Sequence, residues 1–198
     1  MQDVSLTATT LPRPRLHLRG LIREILDTLI LIGAIYALVN LATVRFIVDG
    51  HSMEPNFSTD QVLVVSRVNY LLTPPQRGDI IVFNPPNQPP DEPPYIKRVI
   101  GLPGEVVEIR DTQVYVDGRP LNEPYIKEAC RPSRCPDNQW QLGPNQYFMM
   151  GDNRNNSSDS RVFGPVGLDR VIGEALVRYW PIDKWGVVKD IAYPQEAN

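Results

Sequence analysis

The sequence predicts a mainly β protein, a mixed antiparallel β-sheet domain carried on one N-terminal transmembrane helix. Three observations lead there. One apolar stretch near the N-terminus is long enough to cross a bilayer. The rest of the chain falls into short β-branched runs separated by turn residues. The 20 prolines among 198 residues disfavour any further long helix.

From Thr28 to Val44 no residue is charged, and Ile25, Leu26, Phe46 and Ile47 extend the stretch to the roughly 20 residues of a bilayer span. Arg13, Arg15, Arg19 and Arg23 precede it, with no acid between Leu11 and Arg23. The positive-inside rule then predicts a cytoplasmic segment at residues 1–24, an anchor at 25–45 and an extracytoplasmic domain at 46–198. A cleaved signal peptide usually has an apolar region of only ~7–15 residues ending at a small-x-small site. Here the stretch is longer and runs into Phe46-Ile47-Val48, so an uncleaved single-pass anchor fits better. Phe57 and the Tyr70-Leu71-Leu72 run are candidates either for contact with lipid or for ordinary core packing.

Strands are predicted over Gln61 to Val68, Asp79 to Asn84, Tyr95 to Gly101, Glu105 to Arg110, Gln113 to Val116, Gln146 to Met150 and Val171 to Trp180. Asp117-Gly118 marks a hairpin turn, because glycine accepts positive φ. The six prolines between Asn84 and Tyr95 predict an extended connection between two strands.

Composition excludes several functions. A net charge of −3 without a basic stripe speaks against nucleic acid as a partner. Two cysteines and two histidines cannot build a Cys- or His-rich zinc site, and no metal or organic cofactor is expected. Cys130 and Cys135 sit in a loop of the exported region, where an oxidising compartment favours a local disulfide over free thiols.

Three clusters carry candidate chemistry. The first, Asp49-Gly50-His51-Ser52-Met53-Glu54-Pro55, follows the apolar stretch directly. In an extended chain His51 and Ser52 would point to opposite faces, and His17 lies on the other side of the membrane. A Ser–His–Asp triad is thereby excluded. The second, Tyr95 to Glu105, contains Lys97, which alone of the four lysines is embedded in an apolar strand pattern. Burial would lower its pKa from ~10.4 toward the ~7–8 that a base needs. Taken alone, a lysine in a strand is usually a solvated side chain. The third, Gly151 to Arg161, is a polar run whose side chains could orient such a lysine. It fits a calcium loop poorly, because Arg154 stands at a ligand position.

In this order the clusters closely resemble the boxes of type I signal peptidases, the bacterial leader peptidase family, over Val44 to about Tyr179. The resemblance implies Ser52 as nucleophile and Lys97 as general base. It implies Ser157 as a partner of the lysine, a structural Asp159–Arg161 ion pair, and Arg98 among the site-supporting residues. Some relatives carry a serine that assists the oxyanion hole two positions before the nucleophile. Here Gly50 stands there, as in the Gram-positive and cyanobacterial branch, which leaves the Ser52 N–H as one donor.

The implied reaction is cleavage of signal peptides from exported preproteins after small-x-small sites. Phe46, Val48, Tyr95 and Ile96 are candidate walls of the small-residue pockets. Expected partners are these signal peptides and the lipid bilayer, with the domain facing the periplasm or a thylakoid lumen. Self-cleaving repressors share a Ser–Lys arrangement but have a DNA-binding domain and no anchor. The contrasting expectation is a catalytically silent, membrane-tethered β-domain that binds partners.

Overall fold

The computed structural model describes residues 18–86, 88–89, 92–188, 191 and 193. Arg13, Arg15 and His17 lie outside the described residues, as does the side chain of Arg19. The chain divides into two units, residues 1–40 and 41–198.

In the first unit, helix α1 spans Leu18–Ala42, continuing two residues into the second. It begins earlier and ends sooner than the hydropathy alone indicates. Within it, Gly20–Ala42 is long and apolar enough to cross a membrane. Its side chains from Gly20 to Leu41 are exposed all round, as a helix meant for lipid requires. Two of its polar side chains bond to its own backbone: the Thr28 hydroxyl donates to Glu24 O at 2.7 Å, and the Asn40 amide to Tyr36 O at 2.9 Å. That is how polar groups are satisfied where no water reaches.

The second unit holds two antiparallel sheets. The larger has eight strands in the order β1-β2-β11-β3-β4-β9-β10, with β12 on β11. These are β1 Thr43–Ile47, β2 Val62–Ser66, β3 Ile80–Phe83, β4 Tyr95–Gly101, β9 Gln146–Met150, β10 Val166–Gly167, β11 Val171–Trp180 and β12 Gly186–Val187. The smaller sheet, ordered β7-β6-β5-β8, comprises β5 Val106–Arg110, β6 Gln113–Val116, β7 Arg119–Pro120 and β8 Asn138–Gln141. Two short helices, α2 Asn69–Leu72 and α3 Ser160–Phe163, interrupt the strands. As the turn residues require, Asp117 and Gly118 both take positive φ, 48° and 77°.

Strands β3 and β4 are central and carry near-continuous apolar runs, because both of their faces are covered. Ile80, Val82 and Ile96 pack with Val48, Met53, Leu63 and Val65 on one face. Ile81, Phe83 and Val99 pack with Tyr147 and Met149 on the other. Because side chains alternate along a strand, consecutive Lys97 and Arg98 go to opposite faces of β4. The position of β4 between β3 and β9 carries both charged residues into the interior.

Strands β1 and β8 escape detection in the sequence. Thr43–Ile47 reads as the flank of the apolar stretch but pairs with β2 from Thr43↔Ser66 to Ile47↔Val62. Asn138–Gln141 is polar, with little strand propensity, and is recruited by the free edge of β5.

Candidate active site

Ser52 is held by a turn between β1 and β2. Gly50 has φ 84°, a conformation an L-residue adopts only with strain, which gives a physical reason for glycine at that position. The Thr59 hydroxyl donates to Gly50 O at 3.0 Å. After Ser52 the chain winds rather than extends, with Phe57 N–H donating to Met53 O at 2.9 Å. Met53 and Phe57, 1% and 5% exposed, fix this turn in the core, which settles Phe57 as a packing residue. The extended geometry expected for His51-Ser52 is therefore corrected. His51 is instead engaged by Glu54, Nδ1 to Oε1 at 2.8 Å, and Glu54 also accepts from Lys127 Nζ at 2.6 Å.

Lys97 lies 4% exposed in β4, its Nζ donating to Ser52 Oγ at 2.7 Å and to Ile96 O at 2.9 Å. The Tyr95 ring centroid is 5.1 Å from the same nitrogen. Burial lowers the pKa of Lys97 from 10.5 to about 8. Asp159 and Asp152 pull it upward, and Arg161 adds a smaller push downward.

The run from Gly151 to Arg161 wraps the serine turn. Asn153 N–H donates to Ser52 O at 2.9 Å, and the Asn153 side-chain amide to His51 O at 3.0 Å. A Cβ on Gly151 would stand 2.3 Å from Ser157 Oγ and 2.5 Å from Ser52 O, so only glycine fits between them. Asp159 accepts from Gly151 N–H at 3.0 Å and forms an ion pair with Arg161 at 2.7 Å. Burial works against the Asp159 carboxylate, yet Arg161 and the Gly151 amide hold its pKa below the usual value. Among the described residues the buried Ser157 Oγ has no hydrogen-bond partner, although its hydroxyl helps to lower the Asp159 pKa. The bond from Ser157 to Lys97 implied by the resemblance is thus not made in this geometry.

An open cleft of about 260 Å³ runs past Ser52 and Lys97. Phe46, Tyr95 and Ile96 line it. Val48 does not: it is 2% exposed and belongs to the core with Met53 and Phe57, which corrects its assignment as a pocket wall. Among the described residues no group of three or more His, Cys, Asp or Glu side chains is arranged to hold a metal ion.

The family model described as signal peptidase, peptidase S26, matches residues 21–180. The chain belongs to this signal peptidase family. It is 40% identical over 153 residues to signal peptidase I of Leptolyngbya laminosa, covering 73% of this chain and 72% of that one. It is 44% identical over 144 residues to a probable signal peptidase I of Synechocystis sp., covering 68% and 70%. A solved signal peptidase I from Enterococcus faecalis is 36% identical, covers 50% of this chain and 95% of its own, and superposes with a TM-score of 0.44.

In this signal peptidase some structural contacts went unread in the sequence, chiefly the partner of Arg98 and the pairing of Arg154. Arg98 is buried against Asp152 in a two-bond ion pair, Nε to Oδ1 and Nη2 to Oδ2, both at 2.8 Å. Arg154 is equally buried, paired with Glu123 through Nη1 and Nη2. The disulfide expected between Cys130 and Cys135 is formed, and Arg161 Nη1 lies 3.1 Å from Cys135 Sγ. Ile47, Pro93 and Pro94 join the cleft walls. The one available signal for the buried pairs was the alternation of acids and arginines at Asp152, Arg154, Asp159 and Arg161. It reads equally well as a solvated loop, because partner choice depends on distant residues.

Proposed function

We propose that this signal peptidase is a serine endopeptidase with a Ser52–Lys97 dyad that removes signal peptides from exported preproteins after small-x-small sites. The 2.7 Å contact between Lys97 Nζ and Ser52 Oγ carries this reading, because it joins a nucleophile to a buried base with a pKa near 8.

In the reactive state Lys97 is neutral, and the polarity of that contact reverses, with the Ser52 hydroxyl donating to Nζ. Oγ attacks the scissile carbonyl as its proton passes to Nζ, and the Ser52 N–H stabilises the oxyanion. The lysine ammonium then protonates the leaving amine, which departs as the new N-terminus of the mature protein. A water molecule, deprotonated by the same Nζ, attacks the acyl ester and frees Ser52. Ile96 O and the buried Asp159–Arg161 pair keep Nζ oriented through the cycle.

Phe46, Tyr95 and Ile96 are apolar walls beside the dyad and suit small apolar side chains of an extended peptide. Helix α1 serves as the anchor, with the N-terminus cytoplasmic and residues 46–198 on the exported side.

The test is cleavage of a precursor bearing a signal peptide by the full chain in detergent–lipid micelles, beside Ser52→Ala and Lys97→Met. Wild type cutting after a small-x-small site, with both variants folded and inactive, supports the proposal. Normal cleavage by Lys97→Met refutes the dyad. An inert wild type favours the tethered binding domain.

A further inference from the structure

A second, half-open cavity of about 290 Å³ lies behind the turn that presents Ser52. Neither Ser52 nor Lys97 lines it. Asn56 and Phe57, at the end of the wound segment that follows Ser52, form one wall, and Arg98 forms another. Arg98 leaves β4 on the face opposite Lys97, so the cavity backs onto the catalytic pair without opening on it.

Its charge is one-sided. The guanidinium groups of Arg98 and Arg178 line the cavity, and among the described residues no carboxylate does. Arg98 is 2% exposed, bonded to Asp152 and stacked 4.2 Å from the centre of the Tyr125 ring. Asp152 balances its charge, but Arg178 has only uncharged partners. Arg178 Nε donates to Lys184 O at 2.7 Å, and Nη1 donates to Asn56 O at 2.9 Å and to Gln61 Oε1 at 3.3 Å. Among the described residues its Nη2 meets no acceptor. The three bonds fix the guanidinium in advance, so little freedom is lost when a further acceptor binds. Phe57, Val188 and Ile191 supply apolar wall. A fixed cation without a counter-ion, set beside apolar surface, selects an anion whose body is apolar.

We propose that this cavity binds a carboxylate carried on an apolar group, with the carboxylate on Arg178 Nη2 and the apolar group against Phe57, Val188 and Ile191. A small free acid and the C-terminus of a peptide share this chemistry. An occupant touches Asn56 and Phe57, and so steadies the turn that carries Ser52 without entering the catalytic cleft.

The probe is phenylacetate, titrated calorimetrically at low salt into the full chain in uncharged detergent micelles, with phenylacetamide as its neutral counterpart. Gly186 provides the deciding variants, because it pairs with Arg178 across β11 and β12 and a Cβ there would meet no atom within 4 Å. Gly186→Glu places a tethered carboxylate beside Arg178, and Gly186→Gln places similar bulk there without the charge. Phenylacetate is expected to bind with a Kd of about 1 mM, and phenylacetamide about tenfold more weakly. Gly186→Glu should weaken phenylacetate about tenfold, while Gly186→Gln and Lys97→Met bind it as wild type does. Absence of binding, equal binding of the amide, or equal weakening by both Gly186 variants overturns the proposal. Loss of binding in Lys97→Met places the acid in the catalytic cleft and overturns it as well. Acetyl-alanyl-phenylalanine with a free C-terminus, titrated beside phenylacetate, separates the two sources. Tighter binding of the dipeptide assigns the site to a chain end and tighter binding of phenylacetate to a free acid, and either result upholds it.

Discussion

The backbone amide of Asn153 donates to the carbonyl of Ser52 at 2.9 Å, tying the Gly151–Arg161 loop to the turn that presents the serine. The two segments lie about 100 residues apart in the chain yet behave as one unit at the site, and the spacing between them is set at Gly151.

Gly151→Ala should therefore displace Ser52. Its new Cβ would meet the Ser52 carbonyl at 2.5 Å and Ser157 Oγ at 2.3 Å, contacts that only backbone movement can relieve. A displacement approaching 1 Å costs about 10²-fold in rate. Cleavage kinetics, with circular dichroism to verify folding, measure it.

The rate should titrate with Lys97. Only the neutral amine accepts the serine proton, so kcat/KM rises with pH through about 8 and then levels off. Asp159 favours the ammonium form, so Asp159→Asn should move the inflection to lower pH. A pH–rate profile of each protein decides.

Stability should titrate with the same residue. The folded pKa of Lys97, about 8, is below the 10.5 of the free side chain, so between these values the unfolded chain binds more protons. The penalty for burying the ammonium is full below pH 8 and is relieved as the pH rises to 10.5. At pH 7 Lys97→Met should remove about 3 kcal/mol of that penalty, less ~1 kcal/mol for each lost hydrogen bond. Urea unfolding at pH 7 and pH 10.5 should show a gain at the first that disappears at the second.

Arg98 should matter to the fold beyond its neighbour's chemistry. Arg98→Met leaves the fully buried Asp152 without its cation, a loss of about 3–5 kcal/mol. The double variant Arg98→Met/Asp152→Leu removes both charges and should recover much of that loss in urea unfolding.

Replacing both cysteines by serine should lower stability by about 2 kcal/mol, as expected for opening so short a loop. It would also loosen the contact of Arg161 with Cys135, measured at 3.1 Å. Thermal unfolding without reductant, compared with wild type, measures the change.

Much of the site could be read along the chain because its chemistry is local. Ser52 between Gly50 and Pro55 and Lys97 in an apolar strand are weak signals singly, but with the Gly151–Arg161 run, in that order, they carry the family resemblance. Arg98, by contrast, gives no sign that Asp152 is its partner. Val48 looks like a cleft wall next to Ser52, yet the turn at Gly50 separates them and leaves Val48 in the core. For Leu71 and Leu72, hydropathy cannot tell core from lipid, and only the anchoring of Asn69 and Tyr70 turns them outward.

The candidate nucleophile and base rest on the resemblance of three motifs taken together, whereas the sequence by itself determined the apolar helix, most of the strands and the hairpin at Asp117-Gly118. These depend on periodicity, composition and turn stereochemistry within a few residues of each other. Tertiary structure alone decided the 2.7 Å distance from Lys97 to Ser52, the burial that brings the lysine pKa near 8, and the partners of the two buried arginines Arg98 and Arg154. Distance, desolvation and charge pairing are relations between segments remote in sequence, and they exist only once the sheets have brought those segments together.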